Sequence, residues 1–184
     1  MRMGQDKALV TVDGQFLLAR VVDATAHLGP TWIVGGEPSL LGQLAGSHPQ
    51  AISHVQDDAP GAGPFAALVS ALEHVQCREA LVVSCDLAWP RARDVDLLVN
   101  ARRSSGAEIA VPMVQGERQW HALAIDTRVT PKLIRAKDAG IRSLRRGFHG
   151  CSEVVVCSPA PDFFGDVDTP EELDAVRDLV ERSN

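Results

Sequence analysis

Four short segments of the chain carry residue types suited to binding a nucleotide and a metal ion. In the first, Gly4 precedes Lys7 by three residues. Backbone N–H groups beside a glycine and the charge of a lysine can together contact phosphates. Short glycine and lysine patterns also occur by chance, so a solvated terminus is the simpler interpretation of this segment taken alone.

The second segment leads from a short strand into a helix. It runs from Asp57 to Pro64 and contains Gly61 and Gly63, which permit backbone conformations that other residues avoid. Pro64 stands where a helix would begin. A loop that feeds a helix N-terminus is suited to an anion or to the edge of a base. The alternative is a plain strand-to-helix turn.

The third and fourth segments supply carboxylates. Asp86 follows the apolar run 80–84, and open α/β folds bind ligands at the carboxyl ends of their strands. A carboxylate there is a natural ligand of Mg²⁺, although capping of a helix is the competing interpretation. Asp166 and Asp168 lie on one side of an extended segment because side chains alternate along a strand. They could complete a metal site begun by Asp86, or one of them could cap the following helix.

The surrounding elements alternate between strand and helix. Apolar residues recur at helical spacing, or follow a helix start signal, in four segments: 16–28, 65–75, about 94–103, and a last helix that begins at Thr169-Pro170. Runs rich in β-branched and apolar residues predict strands over 31–34, 51–55, 80–84, 108–111 and 121–125. The continuous apolar run 80–84 is typical of a central parallel strand. The alternation predicts an α/β fold, a three-layer α/β/α sandwich with a mostly parallel, Rossmann-like sheet.

Composition limits the class of protein. The chain has 184 residues, enough for one domain with a hydrophobic core, and we predict a single domain over 1–184. A formal charge of −6 argues against a general nucleic-acid binder. No apolar run approaches the roughly 20 residues that span a bilayer, and no signal peptide is evident, so a cytoplasmic protein that does not bind membranes is expected. The four cysteines lack the spacing of a zinc site and are expected to be reduced thiols.

Together, the order and spacing of these segments resemble the molybdenum cofactor guanylyltransferase family of nucleotidyltransferases. Residues 2–9 (Arg-Met-Gly-Gln-Asp-Lys-Ala-Leu) resemble the second half of its glycine-rich nucleotide signature, and residues 63–68 its Gly-Pro-Leu-Ala-Gly-Leu segment. Residues 84–87 are similar to its Cys-Asp-Met or Cys-Asp-Thr metal turn, and residues 166–173 to its closing Asn/Asp-Val-Asn/Asp-Thr-Pro-Glu motif. Residues 140–146 resemble a family segment near the cofactor side. The resemblance covers essentially the whole chain.

The resemblance implies a role for each matching residue. Nucleotide contacts are implied for Arg2, Gly4, Lys7, Gly35, Asp57, Gly63, Pro64 and Asp86. Lys7 and Asp86 are the implied catalytic residues, since Lys7 would contact the triphosphate and Asp86 would hold Mg²⁺, with Asp168 as a further metal ligand. Gly35 would contribute backbone groups only. Asp166 and His121 are implied on the pterin side, although a lone histidine is more often structural.

The implied reaction is attack by the phosphate of molybdenum-molybdopterin on the α-phosphorus of GTP, with release of pyrophosphate. Mg²⁺ is the implied cofactor, and a molybdoenzyme or its chaperone would receive the product. One alternative is a cytidylyltransferase acting on the same cofactor. The other is a catalytically silent binding or regulatory protein with the same fold.

The family pattern also extends beyond the first residue of this sequence. Family chains begin with an apolar strand followed by Leu-Ala-Gly-Gly-x-Ser-x-Arg-Met-Gly, and this sequence starts at the corresponding Arg2-Met3-Gly4. The first strand and the Gly-Gly loop therefore have no counterpart in it. Either the true start lies upstream or the protein is shortened. The otherwise intact motifs favour the first explanation.

Overall fold

A computed structural model describes residues 10–36, 44, 52–56, 61–87, 90–157 and 174, and the structural statements below concern these residues. The helices are α1 (Leu17–Thr25), α2 (Pro64–His74), α3 (Ala92–Ser105), α4 (Thr130–Asp138) and α5 (Leu144–Gly147). The strands are β1 (Thr11–Val12), β2 (Gln15–Phe16), β3 (Thr31–Val34), β4 (Ile52–Val55), β5 (Glu79–Val83), β6 (Ile109–Val114), β7 (Glu117–Arg118), β8 (Ala122–Asp126) and β9 (Glu153–Cys157). Every strand predicted in the described ranges is present, and so are the three predicted helices.

A five-stranded sheet forms the centre of the fold. β8 lies between β5 and β6 and runs antiparallel to both, whereas β9 pairs parallel with the other edge of β6. β7 forms a hairpin with the end of β6. β5, β6 and β9 therefore run in one direction, and their carboxyl ends meet at one edge of the sheet. A parallel pair, β3 and β4, forms a second small sheet, and β1 and β2 form a short hairpin.

The two faces of the central sheet are covered by different helices. On one face, Ile109, Val111, Leu123 and Ile125 pack against buried residues of α2 and α4. On the other face, the small side chains of Ala110, Ala122 and Ala124 lie against α3, whose Leu98 is fully buried. Adjacent residues of a strand point to opposite faces, so one short run of apolar residues supplies both interfaces. The predicted α/β class and three-layer arrangement are confirmed.

The direction of one strand pair differs from the sequence prediction. Residues 80–84 were expected to form a strand with parallel neighbours, but β5 pairs antiparallel with β8, and the described part of the sheet is mixed rather than mostly parallel. The turn after β6 is the physical reason. Gln115 and Gly116 both have positive φ, 50° and 86°, a two-residue turn whose twist suits an antiparallel hairpin. This turn sends the chain back along β6, so β8 enters the sheet in the opposite direction.

Helix α2 begins as its sequence predicts. Gly63 precedes it with φ +96°, and Pro64 occupies the first helical turn, where its missing N–H removes no hydrogen bond. Phe65, Leu68, Val69 and Leu72 then form its buried stripe. Among the described residues, no helix has the length and apolar character needed to cross a membrane.

The buried carboxylate of Asp126 belongs to a network that links the start of β5 and the end of β8 to α3. Asp126, 4% exposed, accepts hydrogen bonds from the backbone N–H of Arg128 at 3.0 Å and from Nη2 of Arg128 at 2.6 Å. Arg102 of α3 approaches Asp126 at 3.5 Å and pairs with Glu79 of β5 at 2.6 Å. The hydrogen bonds from Arg128 lower the pKa of Asp126 to about 2. This network lies at the opposite end of β5 from Asp86.

Candidate active site

Asp86 lies at the carboxyl edge of the sheet, just beyond β5. It is partly buried, and the Ser84 hydroxyl donates a hydrogen bond to its Oδ1 atom. The backbone N–H of Ser84 in turn donates to the carbonyl oxygen of His121 at 2.7 Å. The antiparallel register explains this contact, because the last residue of β5 faces the first residue of β8. Asp86 and His121, which are 35 positions apart in sequence, are thereby brought to one edge.

An open pocket of about 520 Å³ adjoins this edge. It is lined by residues 61–64, Arg118, Trp120, His121 and residues 142–145. Gly63 closes one side of it against the backbone, since a Cβ atom at this position would lie 3.3 Å from the carbonyl oxygen of Arg142. Positive φ and this close approach together favour glycine at position 63. The N-terminus of α2 and the loop before α5 therefore meet at one side of the pocket, and residues of both line it.

The pocket is cationic. Arg118, Arg142 and Arg145 line it, and in the described part of the chain neither Arg142 nor Arg145 forms an ion pair. Arg118 donates from Nε to the two carboxylate oxygens of Glu153 at 3.1 and 3.3 Å, and its Nη2 also contacts Oε1. These hydrogen bonds raise the pKa of Arg118 above its usual value, so the group is permanently charged. Such a lining suits an anionic ligand.

Aromatic rings support one wall of the pocket. Trp120 stacks on Phe148 with ring centroids 6.3 Å apart and an interplanar angle of 15°. Phe148 meets Phe65 edge to face, also at 6.3 Å. Gly147 lies so close to Phe65 that a Cβ atom there would come within 2.5 Å of the ring carbon Cδ2. The pocket wall is thus continuous with the buried core.

The pocket unites three of the predicted site residues, Gly63, Pro64 and His121, and Asp86 lies beside it. Gly35 follows β3 and has φ +73°. Its N–H donates to the carbonyl oxygen of Val55 at 2.9 Å, and its own carbonyl oxygen lies 3.0 Å from Nε2 of His54. The N–H and the carbonyl oxygen of Gly35 therefore both contact residues of β4.

The other predicted site residues lie outside the described part of the chain: Arg2, Gly4, Lys7, Asp57, Asp166 and Asp168. The helix predicted from Thr169 starts there as well. Their roles stay predictions.

One carboxylate, that of Asp86, lies at the sheet edge where a metal ion is expected. Within the residues that the structure describes, no group of three or more His, Cys, Asp or Glu side chains is arranged to hold a metal ion. Asp86 nevertheless presents a carboxylate, oriented by Ser84, at the carboxyl end of a strand. Mg²⁺ is commonly held by one or two carboxylates and takes its remaining ligands from water and substrate phosphates. A single protein carboxylate here is compatible with that coordination.

Sequence reasoning missed Arg118, Trp120 and the two arginines at 142 and 145 as site residues. A signal existed in the first case, because Arg118 and Trp120 alternate just before the predicted strand and so share one side of the chain. That this side faces residues 142–145 depends on the tertiary structure. The segment 140–146 was placed near the cofactor side only by resemblance.

Comparison with known proteins places the chain in a family. Residues 1–154 match the family model described as the MobA-like NTP transferase domain. The chain is 27% identical over 179 residues to a probable molybdenum cofactor guanylyltransferase of Trichormus variabilis, covering 96% of this chain and 84% of the relative. It is 28% identical over 174 residues to the molybdenum cofactor guanylyltransferase of Vibrio cholerae, covering 92% and 82% of the two chains.

Solved structures with the same fold include two nucleotide-handling proteins. Molybdopterin-guanine dinucleotide biosynthesis protein A from Archaeoglobus fulgidus superimposes with a TM-score of 0.78 at 16% identity, over 98% of this chain and 93% of that one. The 4-diphosphocytidyl-2C-methyl-D-erythritol synthase from Anaerococcus prevotii gives 0.79 at 11% identity, over 95% and 93%. With the carboxylate and cationic pocket at the carboxyl edge, the match over residues 1–154 shows that this chain belongs to the MobA-like NTP transferase family and is a nucleotidyltransferase.

Proposed function

We propose that this enzyme transfers GMP from GTP to the phosphate of molybdenum-molybdopterin in the cytoplasm. The observation that carries the proposal is the cationic, aromatic-walled pocket beside Asp86, since its chemistry suits a phosphorylated heterocycle next to a metal-bound nucleotide. The names of the relatives support the choice of both substrates. A molybdoenzyme or its chaperone would receive the product.

The reaction needs no covalent bond to the protein. An oxygen of the acceptor phosphate forms a new bond to the α-phosphorus of GTP. The bond between that phosphorus and the oxygen bridging to the β-phosphate breaks, and pyrophosphate leaves with the electron pair. Catalysis of this kind depends mainly on alignment of the two substrates and on neutralisation of their charge.

Residues of this chain would divide these tasks. Asp86, held by the Ser84 hydroxyl, would hold Mg²⁺ together with Asp168. The metal, when bound, supplies positive charge against the phosphate oxygens. Lys7, assisted by Arg2, would bind the triphosphate of GTP.

The acceptor would lie in the pocket. Arg142 and Arg145 would bind its phosphate, and Trp120 and His121 would border its ring system. Gly63 and Pro64 would bring the N-terminal N–H groups of α2 to the nucleotide. Gly35 offers the base no side chain, and its N–H and carbonyl oxygen are engaged with β4; this observation keeps CTP as the second candidate donor.

The test is turnover of the purified chain with Mg²⁺ and molybdenum-molybdopterin, supplied with GTP or CTP, measured as dinucleotide formation and pyrophosphate release. We expect turnover with GTP, and Asp86→Asn is expected to lower kcat by at least ~100-fold because a metal ligand is lost. Asp96→Asn, the same change at a half-exposed aspartate of α3 that contacts His27, is the matched control and is expected to leave kcat unchanged.

Each other outcome has a definite meaning. Turnover with CTP alone would identify a cytidylyltransferase, and calorimetric binding of Mg²⁺-GTP without turnover would identify a silent binding protein. Full activity of Asp86→Asn would remove Asp86 from the metal site. A folded sample that neither binds nor turns over either nucleotide would refute the proposal for this chain.

A further inference from the structure

Arg118 and Glu153 form an ion pair across the face of the sheet that carries the pocket. Arg118 is in register with Met113, and Glu153 is in register with Ile109. These two β6 residues are four positions apart and therefore lie on the same face of β6. Residues directly opposite each other on paired strands share a face, so both charged side chains project to the side of α2 and α5. Arg118 consequently reaches over β6 to a carboxylate on β9.

Glu153 binds one edge of the Arg118 guanidinium and does not contact the other edge. Glu153 accepts from Nε and Nη2 of Arg118, the side-on edge of the group. Within the described residues, Nη1 makes no hydrogen bond. A guanidinium carries two hydrogens on Nη1 and a second one on Nη2, and Glu153 leaves these donors to other groups. Because two bonds fix the plane of the group, the direction of the remaining donors is fixed as well.

The pair is poorly suited to a purely structural role. The side chain of Arg118 is 43% exposed and that of Glu153 is 32% exposed, and exposed ion pairs contribute little to stability. Glu153 itself does not line the pocket, whereas Arg118 does. The ion pair therefore affects the pocket by fixing the orientation of the Arg118 side chain.

We infer that Glu153 is a positioning residue for the acceptor, because it holds Arg118 so that the free edge of the guanidinium meets the acceptor's anionic group. This inference rests on the proposed function for the identity of the acceptor. It adds Arg118 to the acceptor-binding residues and gives Glu153 a role in binding although Glu153 touches no substrate.

Neutralisation of Glu153 is expected to change the affinity for an anion in the direction opposite to that predicted from electrostatic repulsion alone. Glu153 is a negative charge close to a pocket for an anion, so its neutralisation alone would strengthen anion binding. If Glu153 positions Arg118, neutralisation instead frees the guanidinium to adopt many rotamers, and binding weakens because the ordering must then occur on binding. The sign of the change in affinity therefore separates the two effects.

The experiment compares wild type, Glu153→Gln, Glu153→Asp and Arg118→Ala. Glu73→Gln is the matched control, because Glu73 forms a comparably exposed ion pair with Lys137 (3.1 Å) and lines no part of this pocket. One measurement is the KM for molybdenum-molybdopterin and kcat at saturating Mg²⁺-GTP. The other is the Kd for the phosphomonoester of 6-hydroxymethylpterin, measured by calorimetry without nucleotide. Circular dichroism checks that each variant is folded.

We expect Glu153→Gln to raise the KM and the Kd roughly tenfold, the effect of losing one well-oriented charge-assisted contact, with kcat unchanged. Arg118→Ala is expected to weaken binding at least as much, Glu153→Asp to recover part of it, and Glu73→Gln to have no effect. Unchanged or tighter binding by Glu153→Gln would overturn the inference. If wild type binds the pterin phosphate but transfers no GMP, the proposed function fails, and the Kd series still decides the role of Glu153. Absence of both binding and turnover in wild type would overturn both.

Discussion

Replacement of Asp126 by asparagine tests the buried charge network at the end of β8. The amide side chain keeps the shape of the carboxylate and still has an oxygen that can accept the backbone N–H of Arg128. It loses the charge that faces the guanidinium of Arg128 at 2.6 Å and that of Arg102 at 3.5 Å. Arg102 retains Glu79 at 2.6 Å, so the substitution leaves no buried cation unpaired.

The magnitude follows from the pKa of Asp126. Its pKa falls from 3.8 to about 2 in the folded protein. At about 1.36 kcal/mol for each unit of pKa, this shift corresponds to roughly 2.4 kcal/mol of folding stability. Arg128 is 67% exposed, so solvent screens part of this interaction. We therefore expect Asp126→Asn to lower the free energy of unfolding by about 1–2 kcal/mol at pH 7.

The pH dependence gives the sharper test. Because the folded pKa lies below the unfolded one, the contribution of Asp126 is fully present above about pH 4 and is lost as the pH falls towards about 2. Urea unfolding of wild type and Asp126→Asn, followed by tryptophan fluorescence at pH 7, 5, 4 and 3, should show a stability gap that narrows between pH 4 and pH 3. The half-exposed control Asp96→Asn should change stability little at pH 7. Equal stability of Asp126→Asn and wild type at pH 7, or a gap that does not narrow below pH 4, would refute the reasoning.

Two further predictions concern packing and thiol chemistry. Gly147→Ala should destabilise the fold by about 1–3 kcal/mol, because the new methyl group meets the fully buried ring of Phe65; urea unfolding measures this, and wild-type stability would show that the ring has room to move. Burial raises the pKa of the Cys151 thiol against the opposing effect of a hydrogen bond with Lys132, so iodoacetamide at pH 8 should alkylate Cys151 more slowly than the exposed Cys77. Peptide mass spectrometry over time gives both rates, and equal rates would contradict the burial argument.

Elements whose signals are local could be predicted from sequence. α2 is the clearest case, because Gly63 and Pro64 define its start and a regular apolar stripe defines its length. Strand β9 carries the run Val154-Val155-Val156 and had an equally local signal, which the sequence prediction overlooked. The direction of β8 had no such signal. It depends on a turn in which Gln115 adopts positive φ, and glutamine is not among the residues typical of that conformation.

The site was predictable to the extent that its chemistry lies in contiguous motifs. Asp86 could be placed at a sheet edge because it directly follows an apolar run. Arg118 could not be assigned a role from sequence, because that role depends on residues that are distant in sequence: residues 142–145 line the same pocket, and Glu153 pairs with Arg118 across β6. Contacts between residues so far apart in sequence follow from strand register and helix packing, which a linear pattern does not encode.

The stack of rings behind the pocket has a consequence for how substrate preference can change. Phe148 is 3% exposed and touches Trp120 on one side and Phe65, the neighbour of Pro64, on the other. Trp120 and Pro64 both line the pocket, so the distance between them is set by a ring that does not line it. A smaller side chain at position 148 would let the two walls approach or tilt. A substitution in the core can therefore change which acceptors fit the pocket, while every residue lining the pocket stays the same.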